Sequence, residues 1–301
     1  MQTKPGKAET CYCVRNGSRC ETLSVRGLTY NIRRWGREGA EPLMLLHGTQ
    51  DSSSTFQFVV DHLKGEWDIF APDWRGHGHS DWAIGGYWFH DFIADLDNLR
   101  RQLFQDRAIP IVGHSLGGNI AGVYAGLRPK HVSHVVSLDG FGPLMNAVPA
   151  EAKTALRMSL DGAESARRHS GYATLSDVAE RLMRANPRLQ RSQALFLAMH
   201  STKLGHDAKR RWLFDPAHQR TIPTLRSLDE WYSIWSDIEA QTCWLASTDH
   251  RPNAPTNFPE VMEQRAAAMR VTRRLTLTDT GHNIQHDAPD VVAVAIEQFI
   301  C

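Results

Sequence analysis

The feature that most constrains this chain is an alternation. Short apolar runs that read as strands are separated by stretches with helical spacing over much of its 301 residues. Such alternation calls for a mostly parallel sheet with helices on both faces. Arg19–Arg26 and Leu28–Trp35, flanking Gly27, predict a β-hairpin on the sheet edge. Pro42–Leu46, Trp67–Pro72, Ile109–Val112, His134–Leu138, Thr242–Ala246 and Arg273–Thr278 supply the remaining strands of an eight-stranded sheet. Tyr87–Phe104, Asn119–Leu127 and Ala288–Phe299 carry helical patterns. In the last of these, Val291, Val292, Val294, Ala295 and Phe299 are expected to supply the inner face.

Composition excludes several classes of partner. Apolar residues make up 42% and charged residues 22%, the balance of an ordinary globular protein. Lys and Arg number 34 against 33 Asp and Glu, and the formal charge of +1 provides no field for nucleic acid or an anionic membrane. No apolar stretch approaches the roughly 20 residues needed to span a bilayer. Met1 to Gly17 is polar, lacks the apolar run of a secretory signal, and reads as a flexible extension. The five cysteines are odd in number and show no Cys-x-x-Cys spacing, so reduced thiols in a cytoplasmic protein are expected.

One motif carries chemistry. Gly113-His114-Ser115-Leu116-Gly117-Gly118 lies directly after a strand and before a helix of small residues. A serine at a tight strand-to-helix turn is lifted above the sheet edge, with the helix's first N–H groups aimed near it. The glycines two positions away on either side let strand and helix approach closely.

Leu45-Leu46-His47-Gly48, Asp73-x-x-Gly76-x-Gly78-x-Ser80, the motif around Ser115 and Gly281-His282 follow one another in the order and spacing of α/β-hydrolase-fold enzymes. The chain resembles that superfamily over nearly its whole length. Within the superfamily it is similar to the lid-bearing esterase-type branch, close in pattern to the serine hydrolase-like proteins. The dehalogenases and epoxide hydrolases of the same fold carry an aspartate where this chain has Ser115, which argues against their chemistry. The resemblance implies Ser115 as nucleophile and His282 as general base. It also implies an oxyanion hole made by the backbone N–H groups of Leu116 and Thr49.

The acid of such a triad has two candidates. Asp249 follows the strand after the helical insert, where most of the superfamily keeps its acid, but Ala246 breaks the usual Gly-x-x-Asp pattern there. Asp139 ends the strand after the nucleophile helix, 24 residues beyond Ser115, within Leu138-Asp139-Gly140-Phe141-Gly142. A subset of the fold places its acid at that strand end, where ligand chemistry gathers in α/β sheets. Asp139 is the favoured candidate.

From Pro143 to Asp237 the alternation stops. Glu151–Leu160, Leu175–Ala185, Ser192–Thr202 and Ser227–Trp235 read as helices, and about 95 residues without a strand suggest a helical lid inserted after the sixth strand. The core would then be residues 18–142 and 238–301. Trp212, Trp231, Trp235, Trp82 and Trp88 could line an apolar acyl pocket, though such aromatics are more often simply core.

His282 and His286 are four apart, but the glutamate of a His-Glu-x-x-His motif is absent, and no metal or organic cofactor is expected. The expected activity is hydrolysis of a small carboxylic ester through an acyl-serine intermediate. A thioester, an amide or a carbon–carbon bond would suit the same machinery. Two alternatives stand beside it: a cofactor-free oxygenase or perhydrolase on the same fold, and a non-catalytic ligand receptor.

Overall fold

The computed structural model describes residues 11–84, 86–143, 171–219, 228–248 and 258–301, together with Thr154 and Arg157. Strands β1 (Arg19–Val25) and β2 (Leu28–Gly36) form the edge hairpin, turning through Arg26 and Gly27. Both turn residues have positive φ, which matches the right-handed twist of the flanking strands. Next come β3 (Glu41–Leu46), β4 (Trp67–Pro72), β5 (Ile109–His114) and β6 (Val132–Leu138). A small antiparallel pair, β7 (Thr202–Leu204) and β8 (Arg210–Trp212), stands apart from the main sheet. β9 (Gln241–Ser247) and β10 (Val271–Leu277) complete the main sheet. Its order is β1-β2-β4-β3-β5-β6-β9-β10, with β2 antiparallel to both neighbours and every other pairing parallel.

Helices cover both faces. α1 (Gln57–Val60), α2 (Phe89–Phe104) and α3 (Leu116–Leu127) belong to the first half of the chain. α4 (Leu175–Ala185), α5 (Arg191–Ser201) and α6 (Leu228–Trp235) lie between β6 and β9. α7 (Phe258–Ala268), α8 (Ile284–Asp287) and α9 (Pro289–Ile300) follow. Alternation along the central strands divides the core into two layers. Met44, Leu46, Ile109 and Ile111 pack with α2 and α3, whereas Leu43, Leu45 and Val112 pack with α1 and α9. Among the described residues, no helix is long and apolar enough to cross a membrane.

Two expectations need correction. The segment read as strand-free contains β7 and β8, because Gly205 and Ala208, the latter at positive φ, close a turn between them. In α9 the inner face is Val292, Ala293, Ala295 and Ile296, while Val291 and Val294 are 48% and 44% exposed. Val292, Ala295, Ile296 and Phe299 share one stripe at helical spacing, and Val291 and Val294 fall outside it. Of the N-terminal extension, residues 11–17 are described, and there the Tyr12 ring packs edge-on against Phe58 at 4.8 Å and the Asn16 N–H donates to Asp61 at 2.7 Å. Trp231 and Trp235 pack in the core, as the core reading of these aromatics expects, whereas Trp82 and Trp88 are exposed. The expected helix Glu151–Leu160 lies outside the described residues, apart from the helical positions Thr154 and Arg157.

Gly117 is where α3 crosses β3, and a Cβ there would collide with the Leu46 carbonyl. Gly117→Ala is therefore expected to destabilise the fold by about 1–3 kcal/mol, as overpacking does elsewhere. Urea denaturation of the two proteins measures it, and an unchanged midpoint would mean the crossing has slack.

Candidate active site

The site is assembled at the C-terminal ends of β3, β5 and β6 and in the loop after β10. Ser115 sits between β5 and α3 with φ +51° and ψ −113°, outside the conformations that serine ordinarily adopts. That geometry is over-determined by its surroundings: the Ser115 N–H donates to Leu138 O at 2.9 Å, and its carbonyl accepts from the Asn119 N–H at 3.1 Å. Asp139, at the end of β6, also has positive φ (+51°) and donates its N–H to Leu245 O on β9 at 2.9 Å. Gln50 (+59°) and Asp279 (+57°) share the conformation. Residues held this way concentrate at functional sites, and four of them lie in the loops gathered here.

The structure brings three of the sequence-derived residues together. His282 Nε2 is 3.0 Å from Ser115 Oγ, and His282 Nδ1 is hydrogen-bonded to Asp139 Oδ2. With Nδ1–H donating to the carboxylate, Nε2 is the acceptor for the serine hydroxyl. Asp139 is buried and the His282 side chain is about half exposed, so the open side of the imidazole faces solvent. Asp249, the other acid candidate, lies outside the described residues.

Leu116 and Thr49 are the residues expected to supply the oxyanion hole. Leu116 is the first residue of α3, so its N–H has no intrahelical acceptor. Thr49 follows Gly48, and a Cβ on Gly48 would lie 3.2 Å from Ser115 Cβ and 2.9 Å from His114 Nδ1. A side chain on Gly48 would push the loop after β3 away from the serine or displace the His114 ring.

Sequence reasoning passed over two residues here. His114 is buried with its pKa pushed down to about 3, chiefly by desolvation, so the ring is neutral. Its Nε2–H donates to the His282 carbonyl at 2.9 Å, and Gln285 Nε2 lies 3.3 Å from its Nδ1. Adjacency to the nucleophile was the available signal for it. His286 is hydrogen-bonded through Nε2 to Thr55 Oγ1 at 2.6 Å.

The second is Asp51, whose Oδ1 accepts the Ser52 N–H at 2.8 Å. The residue is partly exposed, yet its carboxyl is densely enclosed, and desolvation pushes its pKa up to about 7, with the charge of Asp73 adding to the rise. Between about pH 4 and 7 the folded protein keeps a proton here that the unfolded chain releases, so this group's contribution to stability falls as pH rises through that window. Asp51→Asn is accordingly expected to raise the melting temperature at pH 8 and leave it nearly unchanged at pH 4. Thermal melts at the two pH values test this, and an equal shift at both would contradict the raised pKa.

Comparisons with known proteins agree with the architecture. A family model described as alpha/beta hydrolase fold matches residues 41–172. The chain has the α/β-hydrolase fold, and the relatives it matches support a hydrolase. It is 27% identical to a serine hydrolase-like protein of Danio rerio over 278 residues, covering 88% of this chain and 83% of that one. A lipase of Mycobacterium tuberculosis is 32% identical over 149 residues, 48% of this chain and 54% of the lipase. Among solved structures, the thioesterase domain from the curacin biosynthetic pathway superposes with a TM-score of 0.81 at 24% identity, covering 94% of this chain and all of that domain.

Proposed function

We propose that the protein hydrolyses a carboxylic ester through an acyl enzyme on Ser115. The observation that carries this reading is the unbroken chain of hydrogen bonds from Asp139 through His282 to Ser115 Oγ. His282 Nε2 takes the hydroxyl proton as Oγ attacks the ester carbonyl. The negative charge that develops on the carbonyl oxygen falls between the N–H groups of Leu116 and Thr49. His282 returns the proton to the departing alkoxide, and the alcohol leaves. Water then enters, His282 removes its proton, and the same steps in reverse order release the carboxylic acid and restore the serine. Asp139 holds the Nδ1–H tautomer throughout and stabilises the imidazolium that forms twice per cycle.

A cofactor-free oxygenase on the same fold would use His282 as a base without a covalent step on Ser115, so ester turnover and the acyl intermediate separate the two readings. No metal or organic cofactor has a role in these steps. Residues 143–237, as a lid, would set the acyl chain accepted. Turnover of p-nitrophenyl esters of increasing chain length tests the proposal. A rapid release of one equivalent of nitrophenol per enzyme before the steady state is the expected sign of the acyl intermediate. Oxygen consumption without ester cleavage would overturn it.

A further inference from the structure

We infer that His77 is a positioning residue for the oxyanion hole, bracketing Thr49 together with His47, and that His218 of the insert clamps it there. The inference rests on the acyl-serine reading and deepens it. Two peptide units meet at the Thr49 Cα. The first contains the Gly48 carbonyl and the Thr49 N–H, and His47 Nδ1–H donates to that carbonyl at 2.7 Å. The second contains the Gln50 N–H, which donates to His77 Nε2 at 3.1 Å. One histidine thus pins each plane, and the direction of the Thr49 N–H follows from the two.

Both rings are fixed in the tautomer this requires. His77 Nδ1–H donates to Arg75 O at 3.0 Å, which leaves Nε2 as an acceptor. His47 Nε2 accepts the Trp74 N–H at 2.9 Å, which leaves Nδ1 protonated. Both side chains are fully buried, and desolvation holds both neutral, pushing the His47 pKa down to about 4 and that of His77 well below the usual histidine value. The bracket is needed because Gln50 is held at φ +59°, a conformation a glutamine leaves when nothing restrains it.

The clamp comes from the segment after β8. The His218 ring lies 3.9 Å from that of His77 and stacks on Tyr87 at 3.7 Å, and its Nε2–H donates to the same Arg75 carbonyl at 3.2 Å. Beside it, Asp215 donates its N–H to Gly76 O at 2.8 Å and accepts the Tyr87 hydroxyl at 2.7 Å. The docking of this segment is therefore mechanically connected, through one imidazole, to a donor of the oxyanion hole.

The test compares His77→Leu, which removes the acceptor, with His77→Gln, whose Oε1 can accept the Gln50 N–H in its place. With p-nitrophenyl butyrate, His77→Leu is expected to lose about tenfold to a hundredfold in kcat with KM little changed, since misplacing such a donor acts on the transition state alone. Inhibition by an alkyl trifluoromethyl ketone, which carries an oxyanion when bound to a serine, should weaken by the same factor. His77→Gln should recover most of both. His218→Ala, which leaves the bracket's own hydrogen bonds intact, should lose several-fold in kcat along the same line. The inference is overturned if His77→Leu keeps kcat within about twofold, if KM takes the loss instead, or if ketone binding is unchanged. Should Ser115→Ala retain wild-type turnover, it is the acyl-serine reading that fails. Should Ser115→Ala be dead while His77→Leu is fully active, only the bracket fails.

Discussion

Ser115→Ala is expected to lower kcat for p-nitrophenyl esters by about 10⁶-fold, the scale on which Ser–His–Asp hydrolases suffer when the nucleophile is removed. The argument is geometric. Ser115 Oγ is the group within reach of His282 Nε2, and its attack is what the turn at φ +51° makes possible. Alanine keeps the Cβ that the turn already accommodates and deletes the oxygen alone, so the folded state should survive. Steady-state assays with matched circular dichroism spectra measure the effect. A variant that is folded and within about tenfold of wild type would mean that bond cleavage does not pass through this serine.

Asp139→Asn is expected to cost about 10⁴ in kcat, the effect of holding the catalytic imidazole in the wrong tautomer. The carboxylate accepts a hydrogen bond from His282 Nδ1. An asparagine presenting its amide group there donates instead, which places the ring proton on Nε2, where it blocks acceptance of the serine hydroxyl. Asp249→Asn, in contrast, should stay within about threefold of wild type. Parallel kcat measurements on the two variants separate the candidates, and the opposite ranking would transfer the acid role to Asp249. Steric disturbance is small in both because the side chains are isosteric.

Much of this was legible in the sequence, and for identifiable reasons. The strand alternation fixes the sheet because parallel strands buried on both faces must be short and apolar, as Trp67–Pro72 and Ile109–His114 are. The turn at Ser115 is written in the glycines that its close packing demands. Asp139 was favoured from its place at a strand end, and its contact with His282 depends on a fold that brings residues 143 positions apart together. α1 and α8 escaped notice because four residues are too few to display helical spacing. Val291 and Val294 are exposed because the apolar run of α9 is wider than the stripe that meets the sheet. His47 and His77 each lie in a motif of the sequence, but neither motif shows that the two rings meet around Thr49. The bracket arises from two separate loops, after β3 and after β4, and His218 joins it from the insert.

The central claim is that Ser115 becomes covalently acylated during turnover. Incubation with a fluorophosphonate, followed by intact-mass and peptide mass spectrometry, tests it most directly. The account predicts one adduct per chain, located on the peptide containing Ser115, lost in Ser115→Ala and forming much more slowly in Asp139→Asn. Ester turnover that continues with no adduct on Ser115, or an adduct on a different residue that accompanies loss of activity, would contradict it.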